Sequence, residues 1–214
     1  MTPNDERRDA PAFHRNIAPI LGVLTPHLRD LDGDVLEAGS GTGQHIVAFA
    51  RAAPHLTWWP SDYGDLRSIA AWAQDAKLPN LRPARQIDLS DANWQWGETE
   101  RAAPQALAAI FCANVIHISP WKVAEGLFAG ASRHLKPGGL LFLYGPFKRD
   151  GAHTAPSNEA FDASLRAQDP TWGMRDMADV MALAAKASLR PIETVPMPAN
   201  NFTLIFRRDD GREA

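Results

Sequence analysis

The stretch Val35-Leu36-Glu37-Ala38-Gly39-Ser40-Gly41-Thr42-Gly43 decides how this chain folds. Asp34–Ala38 reads as a strand, after which glycine recurs at every second position. Glycine lets the backbone bend sharply and leaves no Cβ between main chain and ligand. Ile46, Phe49 and Ala50 then mark one face of a short helix, whose first N–H groups have no partner within the helix. A dinucleotide fingerprint, Gly-x-Gly-x-x-Gly, does not fit. Counted from Gly39 it needs glycine where Gln44 stands, and counted from Gly41 it needs glycine where Ile46 stands.

Upstream of this turn, Ile17, Ile20, Leu21, Leu24 and Leu28 recur at helical spacing. Pro19 suits the first turn of that helix and Pro26 kinks or ends it. Downstream, strands and helices alternate. Strands are expected at Leu56–Trp59 (ending at Pro60), Ala84–Ile87, Ala108–Ala113 and Leu140–Tyr144. Leu66, Ile69, Ala70 and Ala73 mark one helix between them. Val123, Leu127, Ala131 and Leu135 mark another, with Ser119 as cap, Pro120 at its first position and Pro137-Gly138-Gly139 as its stop. Asp176 caps a last helix carrying Val180, Leu183, Ala184 and Ala187. Strands Arg190–Val195 and Phe202–Arg207 follow, and the short link between them requires an antiparallel hairpin. The expected fold is therefore α/β and Rossmann-like: a mostly parallel seven-stranded sheet with a C-terminal antiparallel hairpin. Residues 1–214 read as a single domain with a loose or surface-laid N-terminus over 1–12.

Composition narrows the function. The net charge is −3 and no long run of Lys and Arg offers a nucleic-acid track. Cys112 is the only cysteine, which excludes an internal disulfide and fits a reducing, cytoplasmic compartment. The polar N-terminus has no apolar core of a signal peptide, and Leu140–Tyr144 is far too short to cross a bilayer. The seven histidines are scattered without a His-x₃-His pair, so no metal is expected.

Two regions stand where an open α/β sheet binds ligands, at the carboxyl ends of its strands. Asp62 lies nineteen residues beyond Gly43 at the end of the second strand, where a carboxylate accepts from both hydroxyls of a ribose. A loop aspartate or a helix cap is its other reading. The segment 146–175 leaves the fifth strand carrying Asn158, Asp162, Arg166, Trp172 and Arg175, and reads either as a lid or substrate wall or as a surface insertion. Trp121 and Trp172 are placed to wall an apolar or aromatic substrate, with Asn158 and Arg175 supplying polar contacts.

Glu37-x-Gly39-x-Gly41-x-Gly43 resembles the first motif of class I S-adenosylmethionine (SAM)-dependent methyltransferases, and Leu135-Lys136-Pro137-Gly138-Gly139 resembles another hallmark of that superfamily. A closer resemblance rests on Arg15-Asn16, Ser40-Gly41-Thr42-Gly43-Gln44-His45, Pro60-Ser61-Asp62 and Ala113-Asn114. It continues through Ile116-His117-Ile118-Ser119-Pro120-Trp121, Tyr144-Gly145-Pro146-Phe147, Ser157-Asn158, Trp172-Gly173 and Met197-Pro198-Ala199-Asn200-Asn201. These motifs, from about Arg15 to Arg208, are similar to the methyltransferase-like twenty-six family. The resemblance implies SAM as cofactor. Glu37, Gly39, Ser40, Gly41 and Gly43 would hold its methionine end, Asp62 the ribose, and Asp88 with the Leu89 N–H the adenine. Arg15 and Asn16 would close over it, and Asn114 would border it where the fourth strand ends. His117 there is a candidate general base, or a histidine that orients a loop. Tyr144 is a candidate to bind or orient the nucleophile. The Asn114-Val115-Ile116-His117 sequence departs from the Asn/Asp-Pro-Pro-Tyr/Phe of enzymes that methylate amino groups of nucleic-acid bases. The implied activity is methyl transfer to a small-molecule acceptor, without a nucleic-acid or membrane partner. A non-catalytic module that binds SAM or a partner protein on the same fold is the alternative, and a nicotinamide dehydrogenase ranks behind both.

Overall fold

The computed structural model describes residues 6–91, 93–94 and 106–209. The first five residues of the expected loose N-terminus lie outside them. Helix α1 (Pro11–Leu28) precedes a run of alternating elements: β1 (Gly33–Ala38), α2 (Gln44–Ala52), β2 (Leu56–Asp62), α3 (Arg67–Ala76), β3 (Arg85–Gln86), β4 (Leu107–Ala113), α4 (Trp121–His134) and β5 (Leu135–Gly145). Helices α5 (Pro156–Gln168) and α6 (Met177–Lys186) follow, then the hairpin β6 (Leu189–Met197) and β7 (Asn201–Arg208).

The strands form one seven-stranded sheet in the order β3-β2-β1-β4-β5-β7-β6. Strands β1 to β5 run parallel, and β7 pairs antiparallel with both β5 and β6. The expected parallel sheet and C-terminal hairpin are both present. After β1 the chain moves outward to β2 and β3, then returns to the other side of β1 as β4. A crevice opens at that reversal, at the carboxyl ends of the strands.

Side-chain alternation builds a core on each face of the sheet. Leu36, Ile110, Cys112, Leu141 and Leu143 face Leu127 and Ala131 of α4 and Val180 and Ala184 of α6. Val35, Phe111, Phe142 and Tyr144 face Ile20 and Leu24 of α1 and Ile46 and Phe49 of α2. Full burial of one such Leu or Phe side chain stabilises by about 1.5–3 kcal/mol.

Several boundaries differ from expectation, each for a local reason. Helix α1 starts at Pro11, so Pro19 and Pro26 both lie inside it, and burial of Ile20, Leu24 and Leu28 carries it past the second proline. Strand β2 runs through Pro60 to Asp62. Trp58 and Asp62 turn their backbone groups toward the outer edge, so the missing N–H of Pro60 faces that edge rather than β1. Pro120, not Ser119, is the cap of α4, and the Ser119 hydroxyl donates back to the Val115 carbonyl at 2.6 Å. Helix α4 ends at His134, before Pro137-Gly138-Gly139, because Leu135 is already extended and paired with Leu107. Asp176 caps α6 as expected, accepting from the Ala178 N–H at 2.8 Å.

Candidate active site

The turn after β1 needs its glycines. Gly39 has φ +81°, and a Cβ there would stand 2.3 Å from Val115 Cγ2. Gly43 has φ +92°, and its Cβ would stand 2.7 Å from the Ile69 Cα of α3. The N–H groups of Gly39 and Ser40 donate to the Ser61 carbonyl at 3.0 and 2.7 Å, locking the turn to β2. Asp62 completes the lock: its Oδ2 accepts from the Gly41 N–H at 2.8 Å and its Oδ1 from the Gly64 N–H at 3.0 Å. A carboxylate has about four acceptor sites, so Asp62 retains capacity for a ligand's hydroxyls.

Beside this turn lies a cavity of about 680 Å³. Glu37, Gly39, Ser40, Gly41, Asp62, Asp88, Leu89 and Asn114 all line it, together with Trp172 from the segment after β5. Its lining carries three carboxyl groups, Glu37, Asp62 and Asp88, against one lysine, Lys122. That balance favours a ligand with positive charge. Asn114 sits at φ +62°, its N–H donating to the Tyr144 carbonyl at 2.8 Å. Asp88 spends one oxygen on the Ser90 N–H and hydroxyl, at 2.8 and 2.7 Å, as a turn-capping aspartate does.

Glu37 is the unusual member. It is 2% exposed, and its Oε2 has no hydrogen-bond partner. Burial, partly offset by the Ser40 side chain and reinforced by the charge of Asp62, pushes its carboxyl up to about 8. A buried carboxyl held this way at a cavity wall lacks a cationic partner, which a ligand ammonium would supply.

Other sequence-predicted residues lie elsewhere. His117 is fully buried behind the cavity wall, and burial, then the Arg175 charge, lowers its imidazole to about 3. Its Nδ1 accepts from the Arg175 N–H at 3.4 Å, its carbonyl accepts from the Gly173 N–H, and its ring meets Phe147 edge-on. This is the geometry of a loop-orienting histidine, not of a base at the cavity. Tyr144 is buried on the α1/α2 face, and burial raises its hydroxyl to about 12 although Arg15 pulls the other way. It does not line the cavity, so it is not placed to orient a nucleophile there. Arg15 is exposed and Asn16 half-buried, and neither lines the cavity, because α1 begins at Pro11 and presents Ala12 and Phe13 instead. Gly43 is buried behind the turn and forms no part of the wall.

The substrate-side group divides similarly. Arg175 donates to the carbonyls of Ile116 (2.9 Å), Ser119 (2.6 Å) and Thr171 (3.0 Å), and lies over the Trp121 ring. With Trp121 it borders a separate, polar cleft of about 660 Å³. Asn158 donates to Thr154 Oγ1 and the Asn200 carbonyl at 3.0 and 3.1 Å, tying α5 to the turn before β7. Asp162 is buried. It accepts from Lys148 (2.8 Å), His153 (2.9 Å) and the Met174 N–H (2.7 Å), with Arg166 at 3.3 Å. Of the proposed acceptor contacts, Trp172 reaches the cavity.

The N-terminal segment is tied down where it is described. The Arg8 N–H donates to Ser68 Oγ (2.9 Å), Arg8 Nη2 to the Gly41 carbonyl (3.1 Å) and the Ala10 N–H to Gln44 Oε1 (2.8 Å). This brings Ala10, Ala12 and Phe13 to the cavity. Sequence reasoning also missed His45, Tyr63 and Lys122, which line it as well. The available clue was position: His45 stands two residues past Gly43, and Tyr63 directly follows Asp62.

Solved structures that share this fold include methyltransferases. An O-methyltransferase family protein from Burkholderia thailandensis superposes with a TM-score of 0.71 at 16% identity, over 90% of this chain and 57% of that one. An O-methyltransferase family 2 protein from Planctomyces limnophilus, solved with apigenin, gives 0.64 at 20% identity over 81% and 50%. CalO1, a methyltransferase of calicheamicin biosynthesis solved in its SAH-bound form, gives 0.66 at 14% identity over 89% and 54%. The chain thus spans little more than half the length of these proteins. By sequence it belongs to the DUF938 family of proteins of unknown function, whose pattern matches residues 7–208. Among the described residues no helix is long and apolar enough to cross a membrane.

Proposed function

We propose that this protein is a SAM-dependent methyltransferase of the methyltransferase-like twenty-six kind, acting in the cytoplasm on a small-molecule acceptor. The observation that carries the reading is the buried Glu37 carboxyl beside the glycine turn, its Oε2 without a partner, in one cavity with Asp62. Those groups match the ammonium of the methionine moiety and the hydroxyls of the ribose in one ligand. The cofactor supplies a methyl group already activated by a positive sulfur. The chain's own residues therefore have to bind, align and exclude water, and alignment alone is worth up to about 7–11 kcal/mol. Glu37 and the turn would take the methionine end, Asp62 the ribose, and Asp88 with Leu89 the adenine. Trp172 and the segment 146–175 would wall the acceptor. The modest net charge, −3, favours a small acceptor over a nucleic acid.

The positions of His117 and Tyr144, outside the cavity, favour a second reading in which the fold binds SAM without turnover. S-adenosylhomocysteine (SAH) is expected to raise the melting temperature and NAD to leave it unchanged, because only a ligand of the native state shifts it. A larger shift with NAD would overturn both readings. SAM consumption with candidate acceptors separates turnover from binding alone.

A further inference from the structure

Of the buried polar atoms without a partner among the described residues, two belong to side chains that line the cavity: Glu37 Oε2 and His45 Nε2. Glu37 is absorbed by the cofactor reading, whereas His45 is not. It stands in the first turn of α2, and Phe13 of α1 meets its ring edge-on with centroids 5.1 Å apart. Phe49, one turn further along α2, lies 5.8 Å away at a tilt of 30°. Burial lowers the imidazole to about 4, so at neutral pH it is uncharged, with one N–H and one lone pair. A group of that kind suits a hydroxyl, which both donates and accepts, better than a carboxylate, which needs a cation. The lining of the same cavity includes apolar side chains, Ala12, Phe13, Val115, Ile118 and Trp172.

We infer that His45 is a specificity-determining residue for the methyl acceptor, its Nε2 hydrogen-bonding the hydroxyl of an otherwise apolar, ring-containing small molecule. The inference rests on the SAM reading of the same cavity, and it assigns a task to the remaining unpartnered atom in the wall. A buried donor or acceptor left unpaired costs free energy, and a ligand hydroxyl relieves that cost while an apolar isostere does not. In the proposed reading Glu37 takes the cofactor's ammonium and Asp62 its ribose, and no group of the cofactor is assigned to His45.

The test uses two probes that share a ring system and differ by one hydroxyl, 2-naphthol and naphthalene, titrated by ligand-observed NMR into protein saturated with SAH. The wild-type protein is expected to prefer 2-naphthol by roughly fivefold to tenfold, the worth of one hydrogen bond. His45→Leu is expected to erase that preference, and His45→Gln, which keeps a hydrogen-bonding nitrogen, to retain part of it. Calorimetry should give SAH affinities within about twofold across all three proteins, a readout independent of the naphthol step. A hydroxyl preference that survives in His45→Leu overturns the assignment. So does an SAH affinity that falls tenfold in that variant, since His45 would then belong to the cofactor. Failure of both probes to bind overturns the acceptor class. Failure of wild-type protein to bind SAH appears before any probe is added and removes the cofactor reading itself.

Discussion

Replacing Glu37 by Gln tests the cofactor reading through protons rather than turnover. Burial pushes this carboxyl up to about 8 before any ligand binds, so at pH 7 about nine-tenths of the molecules carry its proton. A ligand ammonium set against Oε2 stabilises the ionised form, so SAH binding at pH 7 is expected to expel about nine-tenths of a proton. Affinity should then fall roughly tenfold for each pH unit below about 8. The sign for stability is the opposite of an ordinary ion pair. A carboxyl raised above its unfolded value favours the folded state at low pH, and that contribution is lost as pH climbs from the ordinary carboxyl value of 4.5 toward 8. At pH 7, two and a half units above the unfolded value, the loss is about 3 kcal/mol, so Glu37→Gln should stabilise the empty protein by that order. Calorimetry of SAH binding in phosphate and in Tris, whose ionisation enthalpies differ, counts the protons. Urea unfolding from pH 5 to 8 measures the stability slope. Equal proton release by wild type and Glu37→Gln, or none by wild type, would refute the reasoning.

Asp62→Ala should weaken SAH binding by about 2–4 kcal/mol, since a charge-assisted acceptor of two hydroxyls is lost; unchanged affinity by calorimetry would remove Asp62 from the ribose site. Gly43→Ala combines positive φ with a Cβ 2.7 Å from backbone, so a stability loss of about 2–5 kcal/mol is expected in urea unfolding. A variant as stable as wild type would mean that α3 shifts freely. Asp162 is held well below the ordinary carboxylate range by Lys148, His153 and the Met174 N–H, which outweigh its burial. Its stabilisation is therefore present above pH ~4 and lost as pH falls further. Asp162→Asn should lower the melting temperature at pH 7 and flatten its decline in acid, and an unchanged acid limb would show that the cluster does not couple to folding.

The fold was legible because two periodicities, strand and helix, alternate cleanly from Asp34 to Tyr144 and each turn carries Gly or Pro. The misplaced boundaries fell where tertiary pairing overrides local signals: Pro60 tolerated with its imino side outward, Leu135 already paired before Pro137. The wall residues on the first strand and its turn were legible because a strand that feeds a glycine turn has a fixed geometry. Sequence left His117 open between a general base and a loop-orienting residue, because it gives the strand end a residue leaves and not the direction in which its side chain turns. The cluster around Asp162 was not legible, because Lys148 and His153 reach it from outside α5. His45 escaped notice because its partners, Phe13 and the cavity, are contributed by a helix thirty-odd residues upstream and by empty space.

The pairing of β7 with β5 has a consequence for how the chain must be made. Strand β5 carries Leu141, Phe142 and Leu143, all buried, and its second edge is covered by Asn201–Arg208, more than fifty residues later. Until that last strand emerges, a nascent or truncated chain presents a long apolar strand with unpaired backbone groups, the template on which other chains add. Sequence-distant closure of this kind also slows folding, because the loop must be ordered before the pairing repays it. The C-terminal hairpin thus closes an edge that stays open until the end of synthesis, and a chain shortened within β7 is expected to lose solubility before it loses secondary structure.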